Sequence, residues 1–306
     1  MNIDFPPDFP NIEQLFELIG KTNEKSWKNE LSVELIQKWL QNFKGEVYSE
    51  CDEQRLALWL LYNFTYYSSK EVNHLCHILF YRFIHALISN SENPINEKEI
   101  NDEIANLQFA AIGQASESGG MLLYHFRQES GLGIERFFHY TEISYDENAV
   151  IVFIDDVTLS GSTAERFYKN KIKGKKYKQI YYITIMASEE AITKISKLGI
   201  TVVYTVLIDK RNRAFDNDSI LFNRFPSLCE AAERIAVHYG EQIVEPYDRV
   251  EPLGYENGEY CFGFYYNTPN NTLPIFWSEH KWTPIFTRKE KLRNVNDIIR
   301  GTEQFI

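Results

Sequence analysis

The sequence predicts an α/β protein: a doubly wound, mainly parallel sheet preceded by an all-helical region and followed by a small aromatic-rich segment. Three observations carry this. Residues 12–90 repeat their apolar side chains at helical spacing, and residues 107–209 alternate strand-like runs with helical ones. In the middle of the alternation, Ala149–Ile154 is a run of six apolar residues, mostly β-branched or aromatic. A run apolar on both alternations is a strand buried on both faces, as in the centre of a parallel sheet.

The chain opens on a proline-rich arm through residue 11. Ile12, Leu15, Phe16 and Ile19 mark a first helix, and Leu31–Leu40 a second that ends near Gly45. Leu56–Phe64 and Val72–Leu87 predict a third and a fourth. Residues 90–96, polar with a proline, read as the linker, which divides the chain into a helical region 1–97 and an α/β domain 98–306. His74, Cys76, His77 and His85 sit on the fourth helix. Cys and His together invite a zinc reading, but His74 and Cys76 are two residues apart and face different ways. Half-buried polar residues on an amphipathic helix are the simpler account.

Beyond the linker, Leu107–Ile112 predicts a first strand and Met121–Phe126 a helix. The Ser116-Glu117-Ser118-Gly119-Gly120 segment between them reads as a loop whose small side chains let ligand oxygens reach backbone N–H groups. Phe137–Tyr140 predicts a second strand and Ala149–Ile154 the third. Gln179–Met186 is the fourth strand. A helix from the cap Ser188, with Glu189 and Glu190 in its first turn, runs to Leu198 and stops at Gly199. Thr201–Ile208 is the fifth strand. Ser227–Gly240 is again helical, and residues 241–306 are rich in aromatic side chains and amides.

The chemistry concentrates behind the third strand. Asp155 and Asp156 follow its last apolar residue, where open α/β sheets bind ligands. Ser160-Gly161-Ser162-Thr163 then opens a helical turn, and hydroxyls with a glycine at a helix start make a seat for a phosphate. An acidic pair beside a phosphate seat suits a phosphorylated sugar, with or without a divalent metal. The same order of residues also describes a buried strand, an Asp turn and a capped helix without ligand.

IVFIDDVTLSGST resembles the phosphoribosyl-pyrophosphate motif of phosphoribosyltransferases. The resemblance implies that Ser160–Thr163 cradle the 5-phosphate, and that Asp155 and Asp156 hold the ribose hydroxyls and support Mg²⁺ through water. It also implies that Ser116–Gly120 contact the pyrophosphate, and that residues from about 241 form a hood gripping the base through Asn270, Asn271 and Trp277. The family's long mobile loop has no counterpart in the short connection 141–148. The helical start and the Asn-Asn-Thr-Leu-Pro-Ile-Phe-Trp run are similar to phosphoribosyltransferase-like proteins of bacterial conflict systems, which implies a role in anti-phage defence. The ligand implied is phosphoribosyl pyrophosphate or a ribonucleotide, with chemistry at ribose C1. A sensor that binds without turnover, or a module whose helical region docks a protein partner, are the alternatives. No general base is evident; His125 and His139 have no assigned role.

A net charge of −11 and a pI near 5.2 argue against general affinity for nucleic acid or anionic membranes, although Lys169–Lys178 is locally basic. Four scattered cysteines without a CxxC pair are expected to be reduced. With neither a signal-peptide pattern nor a membrane-length apolar run, a cytoplasmic setting is expected.

Overall fold

The computed structural model describes residues 2–89, 104–113, 118–244 and 250–288, so the expected linker at 90–96 lies outside the described residues. Three helices come first: α1 (Ile12–Lys25), α2 (Val33–Leu40) and α3 (Glu50–Tyr62). Asn11, Ser32 and Ser49 cap their N-termini with side-chain oxygens, as short polar residues do. A short strand, β1 (Thr65–Tyr67), leads into α4 (Ser69–Ser89).

The sheet follows. Its strands are β2 (Leu107–Ala111), β3 (Val150–Thr158), β4 (Gln179–Ser188) and β5 (Thr201–Ile208), parallel throughout and in that order. Helix α5 (Ser118–Ser130) lies between β2 and β3 in sequence, α6 (Ser162–Phe167) between β3 and β4, and α7 (Glu189–Ser196) between β4 and β5. A π-helical turn, Tyr168–Ile172, extends α6.

Period-two alternation assigns the faces. Phe109 and Tyr181 meet Phe83 of α4 edge-on, at 5.8 and 5.2 Å, and Phe126 of α5 lies against Phe109. Ile151, Phe153 and Tyr182 point the other way, into a cluster with Ala164 of α6 and Ile195 of α7. The sheet is therefore covered on both sides, which explains why its strands read as near-continuous apolar runs.

Phe137–Tyr140 is not a strand. The chain touches the outer side of β2 in a single parallel bridge, Phe137 with Phe109, where the Phe138 N–H donates to the Phe109 carbonyl at 2.8 Å. A 3₁₀ turn at Ile134–Arg136 precedes it, and a turn closed by the Glu142 N–H on the His139 carbonyl follows, so the extended run is cut short. The bridge still fixes the winding. From β2 the chain passes through α5 to the outer side, then returns to β3 on the inner side, and β4 and β5 continue inward. The direction of growth reverses between β2 and β3, which makes the gap between their carboxyl ends the topological switch point.

The remaining described chain comprises α8 (Cys229–Ile243), β6 (Phe262–Phe264), paired with β1, and the single turn α9 (Pro274–Trp277). Trp39 and Trp282 both donate their indole N–H to the Ile275 carbonyl, at 2.7 and 2.8 Å. Glu53, fully buried, accepts from the Gly45, Val47 and Tyr48 N–H groups and from the Tyr239 hydroxyl.

Contacts divide the chain into Met1–Tyr66 with Arg213–Ile306, and Tyr67–Asn212. The expected boundary at 97/98 lies outside the described residues. The fourth helix, expected with the first three, packs on α5 and the sheet because Val72, Cys76, Leu79, Phe83 and Leu87 supply an apolar face to it. The aromatic C-terminal segment groups with the first helices, since Phe276, Trp282 and Phe286 are core residues there. All four cysteines are free; burial pushes the Cys76 thiol up to about 12. Among the described residues no helix is long and apolar enough to cross a membrane.

Candidate functional site

β3 outruns β2. Their pairing ends at Ala111 with Ile154, and the Ile112 N–H closes on the Ile154 carbonyl at 3.1 Å. Asp155 and Asp156 are the next two residues, so the acidic pair stands beside the end of β2 in the switch-point crevice. The strand does not stop at the acids, as the apolar run implied, but continues to Thr158, held by β4 through Asp155–Thr184 and Val157–Met186 pairs.

The pleat sends the two carboxyls to different surroundings. Asp155 is partly buried on the side of α6 and α7; Tyr182 donates to its Oδ2 at 2.8 Å and the Asp156 N–H to its Oδ1 at 3.0 Å. Asp156, only 6% exposed, bonds Ser118 at the start of α5 and accepts the Val157 N–H at 2.9 Å. Burial, then the neighbouring Asp156 charge, holds the Asp155 carboxyl well above the usual carboxylate range. Asp156 is raised less far; burial pushes it up, and hydrogen bonds from Ser118 and Asp155 oppose the rise. Both carboxyls being raised, the pair shares one proton more readily than it carries two charges. Burial raises the Tyr182 hydroxyl too, followed by the Asp155 charge, so it stays a donor.

Ser118, Gly119 and Gly120 are not loop but the first turn of α5. Gly119 explains the tight start: a Cβ there would lie 3.0 Å from the Ile112 carbonyl oxygen and 3.4 Å from that of Ile154. A side chain would push the helix off the ends of β2 and β3. Ser116 and Glu117 lie outside the described residues.

The Ser160–Thr163 segment forms a compact turn. Gly161 adopts φ +68°, a left-handed conformation natural to glycine, and its α-carbon faces Ala191 and Lys194 of α7. Ser160 Oγ donates to Ser162 Oγ at 3.1 Å, and Ser188, the α7 cap, reaches back to the Leu159 carbonyl. Gly161 has no side chain to cap the first N–H groups of α6. Lys194 is the residue that sequence reasoning missed. Its Nζ donates to Ser162 Oγ at 3.0 Å and stands 3.6 Å from Glu165, bringing a cation to the turn. Nothing in the linear pattern marks it, because only the docking of α7 against the loop brings residue 194 to residue 162.

Asn270, Asn271 and Trp277 belong to the other contact unit and are engaged there. The Trp277 indole is buried and donates to the Thr272 carbonyl at 2.7 Å; Asn271 donates to the Tyr255 carbonyl at 3.0 Å, and the Asn270 carbonyl accepts the Tyr255 N–H. His139 bonds Thr141, and burial lowers the His125 imidazole.

A parallel sheet wound both ways from β2 and β3, with an acidic pair and a serine-glycine turn at its switch point, defines a phosphoribosyltransferase-like protein. The chain belongs to the PRTase-CE family, whose model matches residues 36–288. No curated protein matches it. Among solved structures, it is similar to a hypothetical protein from Neisseria gonorrhoeae with bound ppGpp, at 9% identity and a TM-score of 0.34 over 48% of this chain and 85% of that one. It is also similar to orotate phosphoribosyltransferase from Aeropyrum pernix, at 9% identity and a TM-score of 0.29 over 44% and 71%. UMP synthase from Leishmania donovani gives 12% identity and a TM-score of 0.28 over 58% and 36%.

Proposed function

We propose that the chain binds phosphoribosyl pyrophosphate or a ribonucleotide at the β2–β3 switch point and acts at ribose C1. The observation that carries this is the adjacency, on one strand and the turn after it, of the Asp155–Asp156 pair and a turn served by Lys194. The Ser160–Thr163 turn seats the 5-phosphate through hydroxyls and first-turn N–H groups, and Lys194 exchanges part of its contact with Ser162 and Glu165 for the ligand's charge. Asp156, oriented by Ser118, faces the ribose hydroxyls, while Asp155 is pinned by Tyr182.

Magnesium fits this site through water only. Both Asp155 oxygens already accept internal bonds, and among the described residues no cluster of three or more acidic, His or Cys side chains could cage a cation. Asp155 and Asp156 would hold the ion's waters, and bound Mg²⁺ would neutralise the diphosphate as it leaves. The protein's part is positioning, together with a carboxyl pair whose ionisation is favoured by positive charge developing at C1. The conflict-system resemblance sets the proposed biological role in anti-phage defence.

A second reading, binding without turnover, is favoured by one feature: only Thr141–Asn148 separate the edge segment from the approach to β3, too short for a long closing loop. Incubation with Mg²⁺ and labelled phosphoribosyl pyrophosphate decides. Diphosphate release supports catalysis; retention without release supports sensing; no binding refutes both.

A further inference from the structure

A cavity of about 240 Å³ opens beside the phosphate turn, touching it through Thr163 and touching the end of β2 through Ile112 and Gly113. Its other walls are Tyr140, Phe167, and three polar side chains: Arg166, Asn170 and Lys171. The π-helical turn shapes this wall. It closes from the Lys173 N–H to the Tyr168 carbonyl at 2.9 Å and contributes Asn170 and Lys171 to the wall beside Arg166. Among the described residues neither Arg166 nor Lys171 has an acidic partner; the Lys171 ammonium lies over the Tyr140 ring, 5.8 Å from its centre.

The cavity is the start of a longer feature. From Arg166 to Lys178 seven side chains are cationic and none is acidic, in a protein whose net charge is −11. Of the seven, Lys169 pairs with Glu165 at 2.7 Å and Lys176 with Glu147 at 2.8 Å. Lys175 lies over Tyr145 at 5.4 Å, repeating the Lys171–Tyr140 arrangement further along. Lys171, Lys173 and Lys175 are exposed. Glu142, Asp146 and Glu147 are the acids of the facing segment, and Glu147 forms an ion pair with Lys176 of the run.

A small phosphorylated metabolite would need one anion site. A cationic cavity opening onto a strip of exposed lysines, two of them seated over tyrosine rings, fits a flexible chain of repeating anions. We propose that Arg166, Lys171 and the lysine strip bind the phosphodiester backbone of a single-stranded nucleic acid. Its terminal nucleotide enters the phosphate turn; that last step rests on the function proposed above, and the strip does not. The acidic total argues against general nucleic-acid affinity but not against a local strip, because charges further apart than about 8 Å are largely screened at physiological salt.

The test is fluorescence anisotropy of 5′-phosphorylated 12-nucleotide RNA and DNA strands, and of a duplex, between 50 and 200 mM salt. Expected is salt-dependent binding of a single strand, weakened at least tenfold in R166A/K171A. The log–log salt slope should fall by about 1.4, since each single-strand phosphate contact contributes about 0.7. The K173E/K175E variant, changed only at exposed lysines, should weaken binding as well, whereas K21A/K25A on α1 should not. A preference for RNA or for DNA identifies which strand is taken. No measurable single-strand binding, tighter binding of the duplex, or equal binding by all variants overturns the proposal. Thermal stabilisation by phosphoribosyl pyrophosphate, measured on the same proteins, reports the phosphate turn separately, so either conclusion can fail alone.

Discussion

Tyr182 donates its hydroxyl to Asp155 Oδ2 at 2.8 Å, from the strand beside it and from within the core that α6 and α7 close. A buried phenol thus holds the first of two adjacent carboxyls and leaves the second to Ser118. The two acids of the motif are therefore not equivalent, and their separate environments are what the following experiments probe.

Y182F removes the donor and leaves Asp155 Oδ2 without its partner. The loss is about 1–3 kcal/mol of stability, read by urea denaturation. Because the Tyr182 bond lowers the Asp155 pKa, the variant should also shift the pH dependence of ligand binding upward. An unchanged profile would mean that Asp155 does not control binding.

D155N keeps an acceptor for Tyr182 and removes the charge. A carboxyl raised in the folded state binds its proton more tightly folded than unfolded. Its contribution is intact below the unfolded value, about 3.9, and is lost as pH rises through the folded value. Wild-type Tm should therefore decline above pH 4 more steeply than that of D155N, and the variant should be the more stable at pH 7.5. Parallel curves would contradict the shared-proton pair.

G161A forces a Cβ into a left-handed residue, 3.2 Å from the Ala191 α-carbon. The conformation alone costs about 1–2 kcal/mol. Tm should fall, and stabilisation by phosphoribosyl pyrophosphate should fall further, since the turn that seats the phosphate would open away from α7. Loss of Tm with full ligand stabilisation would separate the turn from the phosphate.

K194M should weaken binding of nucleoside 5′-monophosphates about tenfold and leave nucleoside binding unchanged, with K194R intermediate. Calorimetry of the paired ligands checks this. Equal loss for both ligands would make Lys194 a structural residue that fastens α7 to the loop.

Much of this was legible in the chain. The both-faces-apolar strand, the acids after it and the Ser-Gly-Ser-Thr turn are local features, and local features survive folding. What failed was of two kinds. Ser118–Gly120 read as loop because serine and glycine are poor helix formers, yet close approach to the Ile112 and Ile154 carbonyls requires the glycine at 119. Phe137–Tyr140 read as a strand on propensity alone, and only the bridge to Phe109 survives. Lys194 and the partition that returns residues 213–288 to the first helices depend on tertiary contacts between distant segments, which no window along the sequence contains.

The most direct measurement of the central claim is a crystal soaked with a nucleoside 5′-monophosphate. The account predicts the phosphate against Ser160–Thr163 within reach of Lys194, and the ribose hydroxyls on Asp156. A nucleotide bound elsewhere, with that turn empty and the acid pair untouched, would contradict it.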